Sequence, residues 1–235
     1  MPQLSAGEFS ESDESLKSIA DGVRDSIKTV EDRAQAFIRE AIQQGVFPPG
    51  HRLNLESIAA ALGVSRMPVR AGLRQLESEG LLKIHPHRGA TVVVLSAKEI
   101  GEIYDIRVLL EGYLIEKAIA NLDDDVMAEL AVLEKQLDHA PDAASRLDAR
   151  KNFYRRLYEA ADRPKALQLV DQLRVSVGRY LLLQRIDEHA GHDDFMDALT
   201  RRDAVAARAW LSAHLGRVSV AMQEMVAEAE QVTGS

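Results

Sequence analysis

Residues 50–91 read GHRLNLESIAAALGVSRMPVRAGLRQLESEGLLKIHPHRGAT, and the spacing within this stretch decides the first fold. Leu55 to Leu62 forms a short amphipathic helix, Gly63-Val64-Ser65 supplies a tight turn and a helix N-cap, and a second helix runs from Met67 to about Ser78. Pro68 is tolerated because the N–H it lacks has no helical partner in a first turn. Val69, Leu73 and Leu76 recur at helical spacing and face a core. On the other side Arg66, Arg70 and Arg74 follow at four-residue steps and share one stripe, as a helix lying in a major groove requires. Gly80 ends the helix. Beyond it LLKIHPHRGATVVVL carries two apolar runs around Pro86 to Gly89, a hairpin whose tip holds His87, Arg88 and Gly89. Helices followed by such a hairpin predict a winged helix-turn-helix.

Charge is distributed in the same sense. The chain has 235 residues and a net charge of −8, which by itself disfavours a nucleic-acid partner. Residues 1–50 hold five Lys/Arg against nine Asp/Glu, residues 51–90 six against three, and residues 91–235 18 against 25. The only net-positive region is thus the winged stretch, a basic face on an acidic body. With no cysteine there is neither a disulfide framework nor a thiolate zinc site, which suits a cytoplasmic protein. The apolar runs are far shorter than the roughly 20 residues of a spanning helix. The acidic N-terminus does not resemble a targeting segment.

Residues 1–28 read as an arm. MPQLSAGEFSESDE is polar and acidic, and Ser15 to Lys28, with Leu16, Ile19, Val23 and Ile27 at helical spacing, predicts an extra helix. Thr29 is an N-cap with Glu31 and Asp32 in the first turn, and Ala36, Phe37, Ala41 and Ile42 lie on the buried side. This is the first helix of a DNA-binding domain over 29–95, closed by Gly45 and Pro48-Pro49-Gly50. From Ser96 onward the period is helical throughout. Ser96 and Glu99 make a capping box. Helices are predicted at about 96–121, 124–139, 144–161, 164–187, 192–201 and 203–229. The fold class is therefore mainly α: a winged helix-turn-helix of three helices and a β-hairpin wing, then an all-α six-helix bundle over 96–235 able to enclose a pocket.

From Ile42 to Ser96 the chain resembles the DNA-binding domain of the GntR family of bacterial transcription regulators, through its G-x-x-x-P-G-x-x-L, S-R-x-P-V-R-x-x-L-x-x-L-x-x-x-G and R-G-x-x-V patterns. The resemblance implies DNA contacts from Arg52, Ser65, Arg66, Arg70, Arg74, His87, Arg88 and Gly89. The second half resembles the FCD ligand-binding domain of the FadR subgroup through IYDIRVLLEGYLIEKAI, FYRRLYEAADRP and HDDFMDALTRRDAVAARAWLSAHL. Many members of that subgroup hold a divalent metal through three histidines and a carboxylate, and bind carboxylates or sugar acids there.

Carried over residue by residue, His192 and His214 fall on two of the histidine positions. The third is Tyr154, and Arg150 stands four residues earlier where the family commonly has Asp or Asn. Asp148 does not replace that carboxylate, because six residues before Tyr154 is about 120° around the helix. Two readings follow. In one, Zn²⁺, Ni²⁺ or Mn²⁺ is kept by His192, His214, water and the effector; two histidines and a tyrosine make a poor set for zinc. In the preferred one, the metal is lost and Arg150 neutralises the effector carboxylate with Tyr154 and the histidines. Arg107 stands where the family often points an arginine into the pocket, although Arg107 and Glu111 also read as an ordinary intrahelical ion pair. Trp210 reads as core. His139 and His189 read as ordinary hydrogen-bonded histidines.

No nucleophile elbow, phosphate loop or H-E-x-x-H is present, so no enzyme is expected. The expectation is a cytoplasmic, homodimeric repressor that binds a near-palindromic double-stranded operator and responds to a small anionic effector. A bundle serving only as a dimerisation scaffold is the alternative; a metal-dependent enzyme built on His192 and His214 is a remote one.

Overall fold

The computed structural model describes residues 19–20, 29–86, 89–183 and 192–233. The chain divides into two compact units, 1–95 and 96–235.

In the first unit, α1 (Val30–Gln43) is capped by Thr29, whose side chain accepts from the Asp32 N–H, and buries Ala34, Phe37, Ile38, Ala41 and Ile42. Strand β1 (Arg52–Leu53) leads into α2 (Leu55–Leu62), capped by Asn54, which ends at Gly63 in the left-handed region with φ 65°. Helix α3 (Arg66–Ser78) follows, with Val69, Gly72, Leu73 and Leu76 buried. Ser65 has N-cap backbone geometry but makes no side-chain capping hydrogen bond, so its hydroxyl is not engaged in the way its sequence position predicts. The reason α3 seats so closely on α1 is Gly72: a Cβ there would lie 2.9 Å from the backbone nitrogen of Gln35.

Strands β2 (Leu82–His85) and β3 (Gly89–Val92) form the wing, and β1 joins its other edge in the order β1-β3-β2, all antiparallel. The wing is therefore a three-stranded sheet and not a bare hairpin; a two-residue strand carries too little alternation to be read from sequence. Gly89 sits at the start of β3, paired with His85 at φ +87°, and not at the tip. Glu77 of α3 accepts from the Ile84 N–H at 2.7 Å and ties the wing to the helix. His87 and Arg88 lie outside the described residues. So does most of the expected arm helix, of which Ile19 and Ala20 are helical and buried.

The second unit contains α4 (Ala97–Ile119), α5 (Asp124–Asp138), α6 (Ala143–Glu159), α7 (Pro164–Leu183), α8 (Asp193–Thr200) and α9 (Ala204–Thr233). The Ser96/Glu99 capping box opens α4. Asp123 and Asp142 cap α5 and α6. α4 lies central, packed on α9, α7 and α6, while α5 pairs with α6 and α8 with α9. The stripe of α4 that faces inward is Ile100, Tyr104, Arg107, Glu111, Leu114, Ile115 and Ala118. Two ionised groups thus sit in the middle of an otherwise apolar face. Residues 184–191, including the expected end of α7, the break at Gly191 and His189, lie outside the described residues.

Candidate DNA-binding face and effector site

On the first unit, a concave groove of about 810 Å³ runs between the start of α2, the exposed face of α3 and the base of the wing. Arg52, Arg66, Arg70 and Arg74 line it together with Glu56, His85 and Gly89. All four arginines are exposed. The helical period brings Arg66, Arg70 and Arg74 to one side because Val69, Leu73 and Leu76 are pinned to the core on the other. Glu56 contacts Arg66 at 2.6 Å, a pairing that the sequence pattern does not announce. A groove of this charge is suited to phosphates and base edges.

On the second unit, the altered metal positions lie together. His192 is the N-cap residue of α8, and its ring is buried beside Tyr154 of α6, whose hydroxyl lies 3.4 Å from Nε2. His214 of α9 is also buried, with the two imidazoles 6.1 Å apart between centroids. Trp210 stacks on His214 at 4.9 Å and on Phe195 at 4.7 Å and is only half-buried, so it is a wall of this site and not the core residue its sequence suggests. Burial, then the nearby Arg150 charge, lowers the His192 pKa to about 4. The same two causes, followed by His192 itself, lower His214 to about 3. Both rings are neutral at pH 7.

Beside them stands a charge cluster that links three helices. Glu111 is completely buried on α4 and accepts from Arg107 Nε at 2.8 Å, from Arg174 Nη2 of α7 at 2.5 Å and from the Tyr158 hydroxyl of α6 at 2.6 Å. Burial alone would raise its pKa, but Arg174 and Arg107 outweigh burial and hold it at about 2. Arg174 also lies over the rings of Tyr154 and Tyr158, at 4.6 and 5.2 Å to the centroids, and Arg107 over Tyr104 at 4.6 Å. Burial works against the Arg150 cation, while Tyr154 and Tyr104 favour it and Arg174 and Arg107 oppose it. Two guanidiniums therefore share one carboxylate, and a third lies within electrostatic reach.

The metal that the resemblance implies does not fit these residues. Burial pushes the Tyr154 phenol up to about 12, so it keeps its proton, and the cations beside the two imidazoles would repel a divalent ion. Among the described residues no group of three or more His, Asp or Glu is placed to hold one. Asp148 is exposed on the outer side of α6.

Arg174 and Tyr158 were missed from sequence. The signal existed: Val170, Arg174 and Val177 recur at i, i+4 and i+7, a charge set in an apolar stripe. His139, exposed with Nδ1 2.8 Å from the Lys135 carbonyl, is an ordinary surface histidine.

A winged helix-turn-helix with an arginine-lined groove, followed in sequence by an all-α bundle, is the architecture of a DNA-binding regulator. Residues 30–92 match the family described as bacterial regulatory proteins, gntR family, and residues 102–217 match the FCD domain. The chain thus carries the DNA-binding domain of the GntR family together with an FCD domain, the combination of the FadR-like subgroup. It is 41% identical over 106 residues to the HTH-type transcriptional regulator YdhC of Bacillus subtilis, covering 45% of this chain and 46% of that one. It is 37% identical over 103 residues to the gluconate operon transcriptional repressor of Bacillus licheniformis, covering 43% and 42%. The matched stretch thus spans less than half the length of these two curated relatives. In fold it is similar to Escherichia coli McbR/YncC, with a TM-score of 0.75 at 23% identity, covering 85% of this chain and 99% of that one. Among the described residues no helix is long and apolar enough to cross a membrane.

Proposed function

We propose that the protein is a cytoplasmic, homodimeric repressor whose second unit binds a small carboxylate or sugar acid and thereby alters operator affinity. The observation that carries the effector reading is the sharing of Glu111 by Arg107 and Arg174, with Arg150 nearby and both histidines neutral. The cluster holds more cationic than anionic charge in a buried setting, and a carboxylate matches the planar donor forks of its arginines. Arg107, Arg150, Tyr154, His192 and His214 are the proposed effector contacts, joined by Arg174. Arg150 takes the place of the metal.

On the DNA side, Arg52, Ser65, Arg66, Arg70, Arg74, His87, Arg88 and Gly89 are the proposed contacts, with α3 in the major groove and the wing against the backbone. Two copies reading two half-sites account for a near-palindromic operator. Self-association is supported by Ile106, Leu109 and Tyr113, an apolar stripe on α4 that is 38%, 73% and 40% exposed. Repression is supported by the name of the gluconate operon relative.

The test is isothermal titration of the protein with a panel of mono-, di- and hydroxycarboxylates, with and without a chelator. Saturable binding of one member, indifferent to the chelator and abolished in Arg150→Ala, supports the reading. Binding that needs added metal, or no binding across the panel, overturns it.

A further inference from the structure

Glu56 is an acid in a groove otherwise built for a polyanion, and its position is fixed from both sides. Asn54 caps α2 by accepting from the N–H groups of Glu56 at 2.9 Å and Ser57 at 3.3 Å, which sets the backbone at Glu56. Its carboxylate then meets the Arg66 guanidinium, at the first residue of α3, at 2.6 Å. The two side chains are 65% and 62% exposed, so the pair adds little to folding. A carboxylate there also weakens attraction to phosphate. In the first turn of α2 the helix dipole favours an acid at this position, but that role does not require the carboxylate to hold a groove arginine, and the contact with Arg66 is what places it for base readout.

We propose that Glu56 and Arg66 act together to read one G·C base pair in the major groove. This rests on the reading of α3 as the recognition helix. Guanine offers two acceptors at its major-groove edge, N7 and O6, and the paired cytosine offers the N4 amino donor next to them. Arg66 has five N–H donors; with one on Glu56 Oε1, the others remain for N7 and O6. The carboxylate, already held by Arg66, accepts from the cytosine amino group. The side-chain pair thus presents donor, donor and acceptor to an edge that presents acceptor, acceptor and donor. An A·T pair is rejected twice: its N6 amino group faces a guanidinium, and its O4 faces a carboxylate. Glu56 also holds Arg66 away from phosphates, so that the arginine directs its charge to a base.

The experiment is binding-site selection from a random duplex library with the full-length wild type, Glu56→Ala, Glu56→Gln, Arg66→Ala, Arg70→Ala and Arg74→Ala. The wild type is expected to enrich a motif with one fixed G·C position per half-site. Both Glu56 variants are expected to retain the rest of the motif while preference at that position falls about five-fold or more. Arg66→Ala is expected to lose preference at the same position. On a non-specific duplex, Glu56→Ala is expected to bind more tightly, with a log K against log salt slope steeper by about 1 as Arg66 turns to phosphate. Undiminished preference in both Glu56 variants, or loss at a position different from that of Arg66→Ala, overturns the pairing while leaving α3 as the reading helix. If Arg70→Ala and Arg74→Ala also select the unaltered motif, the recognition-helix reading falls, and the pairing with it.

Discussion

Arg174 of α7 reaches Glu111 of α4 at 2.5 Å across the bundle, and this part-buried contact ties the two helices beside the histidine pair. Arg107 and the Tyr158 hydroxyl complete the shell around the same carboxylate, so α4, α6 and α7 converge on one ionised group.

Removing that group leaves the buried Arg107 and the part-buried Arg174 without their shared counter-charge. Glu111→Gln is expected to lower unfolding stability by about 3–5 kcal/mol, the usual cost of stripping one partner from a buried ion pair. Urea denaturation followed by circular dichroism measures it. A loss below about 1 kcal/mol would mean that solvent screens the arginines despite their burial.

Stability is also expected to fall with acid in two stages. His192 and His214 have folded pKa values of about 4 and about 3, below the ordinary 6.5, so between these limits the unfolded chain binds protons that the folded one refuses. Their contribution is complete above about pH 6.5 and declines as pH falls, by about 1.4 kcal/mol per pH unit for each ring. Glu111 has a folded pKa of about 2 against an ordinary 4.5, so its contribution is complete above pH 4.5 and is lost as pH falls toward 2. Urea unfolding at pH 7.5, 6.5 and 5.5 in wild type and in the double variant His192→Gln, His214→Gln isolates the first stage. An equal slope in both proteins would mean that the rings are protonated in the fold.

Gly72 is expected to be intolerant of a methyl group. A Cβ 2.9 Å from the Gln35 backbone nitrogen cannot be relieved by turning a side chain, so α3 must move off α1. Gly72→Ala is expected to cost about 1–3 kcal/mol by overpacking, despite the better helix propensity of alanine. Equilibrium unfolding decides this, with Gly178→Ala as the control, since a Cβ at Gly178 would have open space.

Arg70→Ala and Arg74→Ala are expected to unfold as the wild type does, because both side chains are exposed, yet to bind duplex DNA more weakly. If the removed guanidinium pairs with a phosphate, the salt slope of that variant should be shallower by about 1. Fluorescence anisotropy at several salt concentrations reads both quantities. Wild-type affinity and slope in the two variants would remove the stripe from the interface.

Much of this architecture is legible from residues alone, for identifiable reasons. The α3 stripe is readable because apolar and basic residues separate cleanly by the 3.6-residue period. Ser96 and Glu99 announce α4 through a local capping box that needs no tertiary partner. Legibility fails where contacts are long-range. On α4 the apolar residues Ile106 and Leu109 are exposed while Arg107 and Glu111 are buried, because partners for the charges come from Arg174 and Tyr158, 63 and 47 residues away from Glu111. β1 is stabilised by pairing with β3 and has no alternating pattern of its own. Gly72 looks like a weak point in a helix until the Gln35 backbone is seen against it.

The most direct measurement is the affinity of the full-length protein for its selected duplex, by anisotropy, with and without each member of a carboxylate panel, in chelator, for wild type and Arg150→Ala. One member is expected to change wild-type affinity by about 5- to 150-fold, the usual range of such coupling, and to leave the variant unmoved. An unchanged wild-type affinity across the panel, or a response that appears only when a divalent metal is restored, would contradict an effector site built on arginines.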